Sequence, residues 1–333
     1  MAASARGALR SSAAIRLAPA VRLRQYPSAM RAFAIAVAAA VLLSAVRPAA
    51  AQDLEPRRWS HLPSGLNIAG AGYAFTAADV FFDPVLGLED VTLDQHTAVL
   101  KYIRTFALLD RSARAEIAVP YQDAHWKGLL QGSPAEARRQ GWADPIARFA
   151  VNLVGAPALS GAEFAAYRAG HPRETVVGLG LSMQAPLGEY FEDKLLNLGE
   201  NRFTWRPELG IEHMSGKWIS EITGSTSFFT DNDDFWNGNR REQDPLHFLH
   251  GHMVYVIRPG LWAGGGVGYA AGGESTVNGT PKDDPKGILL AGATVGVPVS
   301  RAVGIKFTYL RARAQEDTGS DSDSLIVAAS ARW

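Results

Sequence analysis

The sequence has no cysteine, so neither a disulfide framework nor a thiolate-ligated zinc site is available to it. It has no excess of positive charge either: 33 Lys+Arg stand against 33 Asp+Glu. That balance conceals an asymmetry. Residues 1–51 carry seven arginines and no acid, which leaves residues 52–333 with 26 basic groups against 33 acidic ones. An acidic body argues against a general nucleic-acid binder, because counterion release needs clustered Lys and Arg. Beyond residue 52, long hydrophobic runs are also missing. No stretch there reaches the ~18 apolar residues of a transmembrane helix. Any membrane-embedded form of residues 52–333 is therefore a closed β-barrel.

The one long apolar stretch lies near the start. Ala32–Val46 follows Arg31 and leads into Arg47-Pro48-Ala49-Ala50-Ala51, the small-residue pattern of signal-peptidase cleavage. Fifteen residues are too short to span a ~30 Å hydrocarbon core as a helix. Residues 1–51 are thus expected to be an N-terminal leader and signal peptide, with Met30 as an alternative start, and residues 52–333 the mature domain.

What the mature region does have is a period of two. From Arg202 to His213 one face reads Arg202, Thr204, Arg206, Glu208, Gly210, Glu212, and the other Phe203, Trp205, Pro207, Leu209, Ile211, His213. The alternation recurs in Arg111–Gln122, in Val303–Tyr309 and in the last ten residues, where Leu325, Val327, Ala329, Ala331 and Trp333 share a face. Twelve candidate strands follow, near 65–76, 91–105, 111–122, 143–153, 174–186, 202–213, 217–229, 246–257, 260–271, 287–298, 302–313 and 324–333. Most run to 10–13 residues, whereas strands of soluble sheets average ~5–6 and transmembrane strands need ~9–11. Trp218 and Phe228 fall on one face ten residues apart. At ~3.3 Å per residue and a tilt near 40°, they project to roughly 25 Å, the height of a lipid-facing band between aromatic girdles.

The connections alternate as well. Segments 77–90, 123–142, 187–201, 230–245, 272–286 and 314–323 read as long loops, while 107–110, 214–216, 258–259 and 299–301 read as tight turns. The exception, 154–173, holds a short helix at Gly161–Ala169, expected in the periplasm. Short turns at one end and long loops at the other describe an outer-membrane barrel. The fold class expected is all-β: a transmembrane antiparallel up-and-down barrel of about 12 strands.

Five segments, Trp59-Ser60-His61-Leu62-Pro63, Phe81-Phe82-Asp83-Pro84, Thr230–Phe235, Arg241–Pro245 and Gly272–Gly279, together resemble the transporter family named for the meta-pathway of phenol degradation. The resemblance covers about residues 57–333. It implies a Gram-negative outer-membrane β-barrel, sometimes encoded beside catabolic genes for aromatic compounds, and brings no residue set with an assigned transport role.

Strand parity places Arg114, Glu116, Arg202, Arg206, Glu208, Glu212, Glu221, His250, His252 and Lys306 on the lumenal face, joined by Arg148. Both signs are present, so neither a simple cation nor a simple anion ring is expected. Of His247, His250 and His252 only the last two share a face, fewer than the usual metal ligand set. Asp231-Asn232-Asp233-Asp234 with Asn237 and Asn239 gathers oxygen ligands without the EF-hand order. Neither cluster is assigned a metal, and no cofactor is expected. Gly264–Gly268 matches no nucleotide-binding loop and reads as strand glycine that permits curvature. His213 and Ser215 resemble the His-x-Ser pair of outer-membrane phospholipase, but Gly216-Lys217 follows instead of Asn-Gly.

The sequence therefore points to passive uptake of small organic, aromatic or apolar, compounds across the outer membrane, by a protein that is not an enzyme. Its expected partners are outer-membrane lipids, small solutes and, through the terminal Trp333, the barrel-assembly machinery; no nucleic acid is among them. The alternatives are a non-conducting structural or surface-binding barrel and an outer-membrane lipase.

Overall fold

The computed structural model describes residues 54–83 and 86–333. The leader and signal segment assigned to residues 1–51, and the cleavage point before Gln52, lie outside the described residues. So does Pro84 of the Phe81–Pro84 motif.

The described chain forms strands β1 (Asn67–Phe81), β2 (Leu88–Leu108), β3 (Arg111–Leu130), β4 (Ser133–Trp142), β5 (Ile146–Val154), β6 (Arg173–Gln184), β7 (Thr204–Ser215), β8 (Trp218–Phe229) and β9 (Asn232–Phe235). They continue with β10 (Asn239–Gln243), β11 (Leu246–Arg258), β12 (Leu261–Gly272), β13 (Ser275–Val277), β14 (Thr280–Pro281), β15 (Lys286–Pro298), β16 (Val303–Ala314) and β17 (Gly319–Arg332). Helix α1 spans Gly161–Gly170.

Twelve of these strands close into an antiparallel barrel in chain order: β1, β2, β3, β5, β6, β7, β8, β11, β12, β15, β16 and β17. Closure is made by β1 against β17, in register from Ile68↔Arg332 to Phe81↔Gly319. Asn67 and Trp333 extend that seam, exchanging backbone hydrogen bonds of 2.9 and 3.1 Å. A closed ladder leaves no unpaired edge, which is what lets strands cross a bilayer.

The alternation read from sequence is the alternation of the wall. Leu100, Leu209, Phe307 and Leu325 each expose more than half their surface outward, while their neighbours face in. Phe203, Trp205 and Phe228 sit near the loop end, and the Trp218 ring lies 4.8 Å from that of Tyr255, tilted by 56°, near the turn end. An apolar exterior bounded by aromatic rings is a lipid-facing surface, and it makes this an outer-membrane barrel.

The loop end is more structured than the turn signals predict. Segment 123–142, read as a loop, continues β3 to Leu130 and returns as β4, paired from Tyr121↔Trp142 to Leu130↔Ser133. β9, β10, β13 and β14 form a separate four-stranded sheet out of two long loops. In segment 187–201, the Asp144 carboxylate accepts from the backbone N–H groups of Gly188 (2.9 Å) and Glu200 (2.8 Å). At the turn end, α1 occupies the one long connection, between β5 and β6.

One wall ladder is interrupted. β7 pairs with β8 at Trp205↔Phe228 and again at Glu208↔Ser225, with no pairing at Arg206 and Pro207 between them. Proline has no N–H to donate, so a gap there is its direct consequence.

Candidate functional site

The lumen is filled from the turn end by the chain's own residues 54–66. Nothing in this segment is periodic, and it enters no sheet. Trp59 has no exposed surface. Its Nε1–H donates to Thr223 Oγ1 at 2.9 Å, and the Arg148 guanidinium lies 4.9 Å from its ring centroid. The indole occupies a recess that the wall makes by omission: a Cβ on Gly178 or Gly210 would run into the ring. Glycine at these two inward positions is what allows a tryptophan to lie flush with the barrel wall.

Around this anchor the segment is held by ion pairs. Arg58 Nη2 donates to both carboxylate oxygens of Glu208, at 3.1 and 3.2 Å. Glu208 also accepts from Arg148 Nε (2.9 Å) and Ser182 Oγ (2.8 Å), and Arg206 lies 3.4 Å away. Ser60 Oγ donates to Glu212 at 2.8 Å, and the Trp59 backbone N–H to Glu221 at 3.4 Å. His61 lies 3.2 Å from Glu174 and 2.9 Å from the Pro157 carbonyl, its ring edge-on to Phe164 and Tyr167 of α1. Arg168 of α1 bonds the same Glu174 at 2.7 Å. The helix thus clamps the point where the segment leaves the barrel.

The sequence-assigned lumenal residues fall into distinct roles. Arg114, Glu116, Arg206, Glu208, Glu212, Glu221, His250, His252 and Lys306 are side chains of barrel strands; Glu208, Glu212, Glu221, His250 and His252 are buried. Arg202 precedes β7 at the loop end, 4.4 Å over the Phe229 ring and paired to Glu200 at 2.7 Å. His250 and His252 meet edge-on at 5.2 Å, and His252 lies 3.9 Å from Glu221. Among the described residues no three His, Asp or Glu side chains are grouped so as to hold a metal ion. In the acidic loop, Asp231 and Asp233 pair with Arg240. His213 bonds Thr175 Oγ1 at 2.8 Å.

Charge is confined to part of the lumen. Leu246, Phe248, Ala270, Ile288, Leu290, Leu310 and Ala312 line the opposite wall, and Leu54 packs among them. Beside Leu54 lies a cavity of about 470 Å³, faced by Val99, Ile103, Leu310 and Ala328 and by the thin wall at Gly70 and Gly72. Its polar end is the Glu55 carboxylate, which accepts from Lys101 Nζ at 3.0 Å and from Lys306 Nζ. Burial opposes charge on Glu55, but the two lysines prevail and hold its carboxyl well below the usual 4.5.

The segment 54–66 escaped sequence reasoning, although Trp59–Pro63 stood out as a motif. A Trp-Ser-His-Leu-Pro run outside any strand pattern was its only signal.

The family model described as MetA-pathway of phenol degradation matches residues 70–320. The chain belongs to this family. Trp59, Arg58 and Glu55 lie N-terminal to the matched region, whereas the family match embraces most of the barrel wall. Among solved structures, the COG4313 outer membrane channel from Pseudomonas putida F1 is similar, at 22% identity over 84% of this chain and 100% of that one, with a TM-score of 0.70. The CymD monoaromatic hydrocarbon channel aligns at 7% identity over 81% of this chain and 88% of that one, with a TM-score of 0.41. A Pseudomonas aeruginosa FadL homologue aligns at 9% identity over 81% and 90%, with a TM-score of 0.39. No curated protein matches the chain.

Proposed function

We propose that this member of the phenol-degradation family is a passive outer-membrane channel for small apolar or aromatic organic compounds, closed at rest by residues 54–66. The observation that carries the reading is the apolar cavity between Leu54 and the β1–β2 and β16–β17 wall, a space of about 470 Å³ beside the ion pairs that hold residues 54–66. Ligand sites of this size, apolar with a few convergent polar groups, suit compounds of one or two rings. Membership of the family supports the substrate class, and the name of the Pseudomonas putida relative supports channel activity.

The charged lumenal residues then have a holding task. Arg58 and Trp59 lock the segment to Glu208, Thr223 and Glu221, and conduction follows its displacement. An apolar solute also has a lateral route. At the Pro207 interruption an outward groove, lined by Leu179, Pro207, Leu209 and Leu249, reaches Glu208 and Gly180 of the lumenal face. This groove gives an apolar molecule a path between lipid and the lumenal face beside Glu208.

One observation favours a second reading, a non-conducting structural barrel: the segment occupies the lumen throughout its lower half. Proteoliposome flux of a neutral aromatic alcohol separates the two. The channel reading expects flux above protein-free vesicles, increased when Trp59 is truncated. A structural barrel gives none in either form.

A further inference from the structure

The Glu55 carboxylate is the only acid that residues 54–66 carry, and it is placed differently from the rest of the segment's contacts. Trp59, Arg58, Ser60 and His61 are fixed to buried wall groups. Glu55 instead stands at the boundary between two cavities. The larger, apolar one lies on its Leu54 side. A smaller one of about 250 Å³, faced by Arg58, Arg114 and Arg332, lies on its Pro56 side. Glu55, Pro56, Lys101, Ile103 and Lys306 border both spaces. The Glu55 carboxylate bridging two lysines is the charged part of the partition between them, beside Pro56 and Ile103.

Those lysines keep a cationic site when Glu55 is absent. Lys101 has a second partner, Glu116, at 3.0 Å. That single carboxylate is shared with Arg148 at 2.8 Å and Arg114 at 3.4 Å. With Glu55 gone, Lys101 and Arg114 share Glu116, and Arg148 is divided between Glu116 and Glu208. The site combines an ammonium pair with an adjoining apolar chamber, so it matches a molecule with one carboxylate and one apolar body. Glu55 supplies the carboxylate but fills none of the chamber.

We propose that Lys101 and Lys306 form a carboxylate-binding site for apolar organic monocarboxylates, and that such an acid takes the site by displacing Glu55 and loosening the segment that carries it. This deepens the channel reading, on which it rests, by naming the substrate class and what opens the route. Binding in the chamber buries apolar surface that Glu55 leaves uncovered. The exchange at the lysines replaces one carboxylate by another and leaves the ion pairing intact. A neutral analogue gains the first contribution and lacks the second.

Benzoate and the near-isosteric neutral benzamide are suitable probes, with binding to the full-length mature protein in detergent followed by calorimetry. Benzoate is expected to bind roughly tenfold more tightly than benzamide. Glu55→Gln, which removes the internal competitor, should strengthen benzoate binding and leave benzamide unchanged. Lys101→Met with Lys306→Met should abolish the difference between the two. Correct folding of each variant is checked by heat-modifiable migration on gels. Because the chain has no cysteine, Pro56→Cys gives a unique reporter: benzoate, and not benzamide, should accelerate its labelling by a maleimide. Equal binding of the two probes, or weaker benzoate binding by Glu55→Gln, overturns the proposal. So does labelling indifferent to benzoate. A neutral aromatic alcohol crossing proteoliposomes while benzoate is not preferred would refute this site and leave the channel standing. Absence of flux for every solute would refute the channel, while the detergent measurement still decides the site.

Discussion

The Trp59 indole rests against the Cα of Gly210, so close that a Cβ there would overlap the ring. This contact couples segment 54–66 to a barrel strand through an inward-facing glycine.

Gly210→Val should therefore leave the barrel intact and expel the indole. A β-branched residue suits a strand, so the gel-shift signature of the folded barrel should persist. The loss of the Trp59 contacts corresponds to about 3–5 kcal/mol, the usual cost of truncating a large buried aromatic. Limited proteolysis reads the outcome: cleavage near Arg57 and Arg58 should appear in the variant and not in the parent.

Two neighbours on β7 should respond in opposite ways. Leu209 faces lipid and Glu208 the lumen. Leu209→Arg places a charge in the bilayer at about 2–4 kcal/mol and should impair insertion. Glu208→Gln leaves Arg58 and Arg148 facing a neutral amide. Removing one member of a buried ion pair costs about 3–5 kcal/mol, and here the loss falls on the docking of residues 54–66. The barrel should fold and its conductance rise. Equal tolerance of both substitutions would contradict the assigned faces.

Much of this was legible in the sequence, and the reasons are physical. The twelve wall strands announce themselves because lipid on one side and polar groups on the other impose a strict period of two over 9–21 residues. The burial of Glu208 and Glu212 beside exposed Leu209 and Ile211 follows from the same parity. Segment 54–66 has no such constraint: its partners, Glu208, Thr223 and Glu174, are more than a hundred positions away, and nothing local records them. The β3–β4 hairpin was hidden for a related reason. Beyond the membrane the alternation lapses, and 123–142 reads as loop although only Gln131-Gly132 is the turn. The apolar half of the lumen was invisible because Leu246, Phe248, Ile288 and Leu290 face inward where parity alone anticipates polar groups.

The Glu55 latch sets a direction for pH. A carboxyl held below its usual 4.5 contributes docking that is fully present above that value and is lost as pH falls through the lowered one. Channel recordings should show a constant closed level from pH 8 down to about pH 5 and increased opening in stronger acid. Glu55→Gln should lack that acid-dependent step. An identical acid profile in both proteins would assign the effect to other groups.

The gap at Pro207 can be stapled. Pro207 and Thr226 occupy facing positions between the two paired stretches of β7 and β8, and no native cysteine interferes. A disulfide between Pro207→Cys and Thr226→Cys should lower flux of an apolar aromatic solute several-fold and be reversed by reductant. Flux unaffected by the staple would exclude the lateral route.

Assembly offers a further check. Trp333 is exposed at the turn end of the closing seam and bonded to Asn67. If it is read by the barrel-assembly machinery, Trp333→Asp should reduce the amount of protein in the outer membrane, measured by fractionation, with the unassembled chain degraded.

The most direct test of the central claim, that the lumen is a conduit closed by residues 54–66, is single-channel recording in planar bilayers of the parent and of Trp59→Ala combined with Arg58→Ala. The account predicts a silent or rarely opening parent and a variant with sustained openings at unchanged barrel stability. A folded variant that stays as silent as the parent would contradict it.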